Sequence, residues 1–269
     1  MELKGTCEST SLALQLKQMF MATVFAKLTK VAAKPADYPA PEGFIDMSQN
    51  REFLASFSLT PEDLLIPFTH FKVKVFAKDP KVWHEYYYPP FIFAFKGTGI
   101  LHLDDWANNI KQARRQKSIY YQQTLKIARA VLNSGKKDLV CAVGHSLGGG
   151  LASAFSRLAQ VDAITYNAAG IDPEALGIDC QSKSSRIDAY YVKGEALQAL
   201  QHRLEHRLDN LSFYRFHLDL SKIRPLPQTL GAMHVVNAGL TSIDKHFVRT
   251  VMRGLNKELL ALRQRALEI

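Results

Sequence analysis

The stretch Gly144-His145-Ser146-Leu147-Gly148-Gly149-Gly150 places one hydroxyl between glycines, with a buried-type apolar run before it and a helix-forming run after it. The pattern Gly-x-Ser-x-Gly suits a serine nucleophile when a strand precedes it and a helix follows. Glycines on both sides remove the Cβ atoms that would block a sharp strand-to-helix turn, and the turn aims the hydroxyl at the positive end of the following helix. An oxyanion formed at that point would be held by backbone N–H groups, beginning with that of Leu147. A phosphate-cradling loop is the competing reading of such glycines. It normally carries a Lys directly after them, and none is present here.

A nucleophilic serine needs a base, and in the chain order Ser, acid, His the base must follow Ser146. His202, His206, His217, His234 and His246 satisfy that condition. His246, in Asp244-Lys245-His246-Phe247, stands just ahead of an amphipathic C-terminal segment, where a loop is held by the helix it enters. His234, in Gly231-Ala232-Met233-His234, is the second choice. The acid belongs at the carboxyl end of a later strand, where a parallel sheet collects its site residues. Glu195 follows the run Ile187–Val192 in that position, while Asp172, Asp179 and Asp244 remain open.

These residues need a scaffold, and the chain from residue 71 onward supplies one by alternating strand-like and helix-like runs. Residues 71–75 alternate with period two, which predicts a half-solvated strand; residues 91–95, 139–143, 163–166 and 187–192 read as further strands. Helices are expected over about 119–132, 147–158 and 247–262. Such alternation implies right-handed crossovers and a mainly parallel central sheet with helices on both faces, the α/β class. Residues 1–68 are expected to form a helical and extended extension that packs on a catalytic domain of residues 69–269. Within them Leu12, Leu16, Met19, Phe20, Thr23 and Lys27 fall on one amphipathic helix read as core packing, and the prolines of 34–68 predict a connecting region with one short helix.

Several motifs together resemble the class 3, fungal-lipase-like lipases, and more closely their bacterial relatives found as phospholipase effectors and toxins. They are Phe93-Ala94-Phe95-Lys96-Gly97-Thr98, Asp105-Trp106, the Gly144–Gly149 elbow and Thr165-Tyr166-Asn167-Ala168-Ala169-Gly170. The likeness runs from about residue 71 to 255. It implies an α/β-hydrolase-like fold, a second oxyanion N–H from Thr98, His246 as base, and a Gly-acid pair at Gly194-Glu195 in which Asp is the commoner acid. It further implies lipid or phospholipid substrates, no metal or other cofactor, and an immunity or inhibitor protein as partner. Residues 196–240, or the N-terminal helix, would supply a lid.

Two competing constellations belong to other classes. His202-Arg203-Leu204-Glu205-His206 is a literal H-x-x-E-H, a zinc-peptidase pattern, but it lies in an amphipathic run whose apolar face is Leu197, Leu200, Leu204 and Leu208. The two histidines then fall on the polar side. A hydrolase-fold binding module without chemistry is the other alternative, and the joint presence of Ser146, Glu195 and His246 argues against it.

The 269 residues carry 34 Lys and Arg against 25 Asp and Glu, a net charge of +9. Such a surface attracts anionic membranes, which favours a phospholipid. The basic run 111–117 comes with no nucleic-acid-binding motif, so nucleic acid is not an expected partner. Cys7, Cys141 and Cys180 do not form a disulfide framework, and Met19–Ala26 is too short to span a bilayer and lacks a signal-peptide layout. The expected location is the cytoplasm, or outside the cell by way of a dedicated secretion system. The Tyr86-Tyr87-Tyr88-Pro89-Pro90 segment is read as packing material.

Overall fold

The computed structural model describes residues 2–83, 88–97, 119–178, 185–195 and 229–268. Among these residues seven strands form one sheet in strict sequence order: β1 (Phe44–Asp46), β2 (Val73–Lys78), β3 (Phe91–Phe95), β4 (Val140–His145), β5 (Asp162–Tyr166), β6 (Ile187–Val192) and β7 (Ala232–Val236). The first two pairings are antiparallel, and all pairings from β3 to β7 are parallel. The class is therefore α/β with a mainly parallel sheet.

Helices cover both faces. The first face carries Val75, Phe93, Phe95 and Ala142, covered by the helix over 119–133 (α3) and by α4 (Leu147–Ala159), with Phe155 stacked 5.3 Å from Phe93. The opposite face carries Ile92, Ala94, Cys141, Val143 and Tyr166. It is covered by the N-terminal helix α1 (Glu2–Ala32) through Phe25 and by the C-terminal helix Val248–Leu267 through Val251 and Leu255. Neighbouring residues of β3 and β4 thus serve opposite cores, as the period of two requires. The continuous apolar runs in the sequence are the trace of this two-sided burial.

Helix α1 forms because its 31 residues contain no proline, and it ends three positions before Pro35. Met21, Phe25, Leu28 and Ala32 recur at helical spacing and are buried, one face of the helix being turned to the sheet. Phe20 and Lys27 turn outward instead. The Tyr166 hydroxyl donates to the Ala22 carbonyl at 2.5 Å and ties the helix to β5.

Three local expectations need correction. Strand β2 is not half-solvated, because the residues after α1 cover its lysines: Lys74 is 1 % exposed and ion-paired to Asp46 at 2.9 Å. Lys78 is buried as well, beneath Phe25 and Trp83; it donates to the Tyr88 carbonyl, and burial lowers its pKa to about 8. The region 34–68 holds not only the short helix α2 (Arg51–Ala55) but also the edge strand β1, too short to leave a periodic signal. Strand β7, a further addition, is half-exposed and reads weakly for that reason. Tyr88 does serve as packing, edge-on to Phe25 at 5.7 Å.

Candidate active site

Strand β4 runs into helix α4 through a single residue, Ser146, with φ 56° and ψ −127°. Non-glycine residues reach that conformation only under strain of about 1–3 kcal/mol, which surrounding contacts must hold. Those contacts are present: Ser146 N–H donates to the Tyr166 carbonyl at 3.0 Å, and its own carbonyl accepts from Gly149 and Ala169, each at 2.9 Å. The flanking glycines are sterically required, since a Cβ on Gly144 would run into the Gly148 carbonyl and one on Gly148 into the Phe95 carbonyl. Leu147 is the first residue of α4, where the N–H lies outside the intrahelical ladder.

His246 ends the one-turn helix Ser242–His246, opened by the Thr241 hydroxyl, which accepts from Asp244 N–H. Its Nδ1 lies 2.6 Å from Glu195 Oε2, and both side chains are 2 % exposed. Glu195 follows Gly194, whose φ of 72° turns the chain back at the end of β6, and Glu195 N–H donates to Val192. A carboxylate can only accept, so Nδ1 carries a proton, and in the neutral imidazole Nε2 keeps its lone pair. That Nε2 is buried with no hydrogen-bond partner among the described residues. A buried polar atom costs about 1–3 kcal/mol when no partner satisfies it.

The main chain of His246 is tied to the elbow. Its carbonyl accepts from His145 Nε2 at 2.6 Å and from Asn167 Nδ2 at 3.1 Å, and the His145 and His246 rings lie 5.2 Å apart. Burial, reinforced by the adjacent His246 ring, drives the His145 pKa down to about 3. His145 is therefore neutral, with its proton on the nitrogen that faces the carbonyl.

A family model, described as a Tle-like phospholipase domain, matches residues 23–245. The chain belongs to the Tle-like phospholipases. The matched stretch contains the elbow and Glu195 and ends one residue before His246. A curated relative, the extracellular phospholipase A1 of Serratia liquefaciens, is 31% identical over 129 residues, covering 47% of this chain and 37% of that protein. The aligned part is thus little more than a third of the relative's length.

The remaining candidates of this Tle-like phospholipase chain fall elsewhere. His234 lies on β7, in register with Tyr190, Tyr166 and His145 on successive strands, which puts it three strands, or about 14 Å, from the elbow. Its Nε2 meets Asp188 Oδ1 at 2.9 Å, and its ring stacks on Tyr190 at 4.7 Å. Asp244 accepts from Thr250 at 3.3 Å and braces the head of the C-terminal helix. Asp172 is half-buried on the loop after β5, whereas Nδ1 of His246 is taken by Glu195. Thr98, Asp179, His202 and His206, along with most of the expected lid, lie outside the described residues, and no helix among those described is long and apolar enough to cross a membrane.

Two site residues escaped the sequence reading as participants: His145 and Asn167. Asn167 is 2 % exposed, and its side chain bonds the carbonyls of both Lys245 and His246. Its signal was a lone polar amide directly after the strand-like run Ala163–Tyr166, at the edge where the Ser146 elbow sits.

Proposed function

We propose that this chain is a serine esterase of the α/β-hydrolase kind that cleaves an acyl ester of a phospholipid. His246 Nε2 takes the proton of Ser146 Oγ as that oxygen attacks the ester carbonyl. Glu195 holds the imidazole in the tautomer that leaves Nε2 able to accept, and stabilises the imidazolium once it forms. N–H groups of Leu147 and Thr98 hold the oxyanion. Collapse expels the lysolipid alcohol, which takes the proton from His246, and a water activated by the same nitrogen releases the fatty acid.

The observation that carries this reading is the buried His246 ring, bonded to Glu195 on one nitrogen and unpartnered among the described residues on the other, anchored beside the strained Ser146 elbow. Membership of the phospholipase family and the relative's name support the lipid substrate. The net charge of +9 favours an anionic bilayer over neutral fat. Export as an effector, with an immunity protein in the producing cell, belongs to the same proposal and is motivated by the family.

The test is labelling with a fluorophosphonate ester, followed by peptide mapping. We expect an adduct on Ser146 that is absent in Ser146→Ala and strongly slowed in His246→Ala. Folded protein that forms no adduct on any serine in the presence of detergent would sink the reading. In that event zinc analysis of His202 and His206 takes its place.

A further inference from the structure

Asn167 takes no part in the chemistry just described, yet its amide is more completely committed than a loop side chain ordinarily is. It stands directly after β5 with φ 40°, in the left-handed region that Asn tolerates better than most residues. Its Oδ1 accepts from Val192 N–H at 2.9 Å, and Val192 is the last residue of the strand that leads to Glu195. Its Nδ2 donates to the Lys245 carbonyl at 2.9 Å and to the His246 carbonyl at 3.1 Å. The amide's orientation is unambiguous, because Oδ1 faces an N–H and Nδ2 faces only carbonyls. One buried side chain therefore joins the strand that presents the acid to the backbone that presents the base.

His145 is the second clasp on the same atom, since its Nε2 donates to the His246 carbonyl at 2.6 Å. Being neutral, it adds this hydrogen bond without setting a positive charge against the imidazolium that forms during turnover. Two donors from the ends of adjacent strands, β4 and β5, thus converge on one carbonyl oxygen.

We infer that Asn167, together with His145, is a positioning residue that fixes the main chain of His246 relative to Glu195, so that Nδ1 keeps its carboxylate partner while Nε2 stays available to Ser146. The inference rests on the assignment of His246 as base. It assigns to Asn167 a role that neither the elbow motif nor the acid and base identities require. Holding reacting groups to within a fraction of an ångström matters, because a shift of about 1 Å costs on the order of 100-fold in rate.

Asn167→Asp separates the two ends of the amide. It keeps the size, the tolerance for positive φ and an acceptor for Val192, but removes both donors to the 245–246 backbone. Asn167→Gly keeps the backbone conformation and deletes the amide, and it decides the matter if the Asp variant does not fold. For folded protein we expect kcat on a soluble short-chain ester, and the rate of Ser146 labelling, to fall about 10- to 100-fold, with KM within about threefold of wild type. A purely structural role would lower the melting temperature and leave both rates per folded molecule unchanged, and that result overturns the inference. In a double-mutant cycle with His145→Phe, coupling of about threefold or more is expected, because both residues act on one carbonyl; simple additivity overturns the shared clasp. His246→Ala is the control that separates the two levels. If labelling of Ser146 survives it unchanged, the triad reading fails. If it stops labelling while both Asn167 variants react as wild type, only the positioning inference fails.

Discussion

Among the described residues the sheet carries two histidine–carboxylate couples of nearly the same local geometry, and the proposed function puts them to different uses. Glu195–His246 closes at 2.6 Å at the carboxyl edge, and Asp188–His234 closes at 2.9 Å on the face that packs against α1 and the C-terminal helix. In the first couple the acid holds Nδ1, and Nε2 is left buried and unpartnered among the described residues. In the second the acid holds Nε2, and Asp188 is shared with Arg186, whose guanidinium lies 3.0 Å away. Although burial raises the Asp188 pKa, His234 and Arg186 hold it below the ordinary carboxylate value. An imidazole paired with a carboxylate is thus no sign of catalysis in itself. What differs is which nitrogen the acid takes, whether the other is kept in reserve, and whether a strained serine stands beside it.

The largest effect that could break this comparison comes from the two histidines. His246→Ala is expected to lower kcat by about 10⁴-fold or more, on the scale of removing a triad base, while His234→Ala stays within about threefold of wild type in ester hydrolysis. Equal losses in the two variants would show that the couples are not functionally distinct.

The two acids sharpen the contrast. Glu195→Gln should cost about 10³- to 10⁴-fold in kcat with little change in KM, because the imidazole loses its orienting and charge-stabilising partner. Asp188→Asn should leave the rate per folded molecule intact and cost stability instead, about 2 kcal/mol at pH 7 by urea denaturation, since a buried charged hydrogen bond is lost. The pH dependence follows from the lowered native pKa of Asp188. The stabilisation is fully present above its unfolded value of 3.8, and it is lost as acid protonates the unfolded state first. The gap between wild type and Asp188→Asn should therefore narrow below pH 3.8, and a gap that widened there would contradict the assignment.

The smallest expected effect is that of Arg186→Ala. Its side chain is half exposed, so the ion pair to Asp188 should contribute less than about 1 kcal/mol, with no change in hydrolysis. A loss of activity in this variant would mean that the second couple communicates with the first.

The elements that the sequence made legible are those buried on both faces or strongly periodic. Residues 139–143 and 91–95 read as strands because every side chain is apolar, and the C-terminal helix reads from its amphipathic spacing. Strands β1 and β7 did not read, the one for its brevity and the other for its mixed, half-exposed residues. Lys72 and Lys74 misled, because a lysine on alternate positions signals solvent unless a distant segment covers it, and that segment is invisible to a local pattern.

The sequence alone singled out Ser146 as the candidate nucleophile, since the elbow is a local solution whose glycines, strand and helix are contiguous. It also ordered the histidines and acids after Ser146 and listed the few that could serve. Only the tertiary structure shows which of them meet, because Glu195 and His246 are 51 residues apart and are brought together by the parallel pairing of β4 to β7 and by the bonds that hold the 245–246 backbone to His145 and Asn167. The same pairing set His234 against Asp188 and out of reach of the elbow. Asn167 and His145 acquired their places in the same way: a hydrogen bond to a backbone carbonyl leaves no mark on the identity of the residue that accepts it, so nothing at positions 245 and 246 announces who holds them.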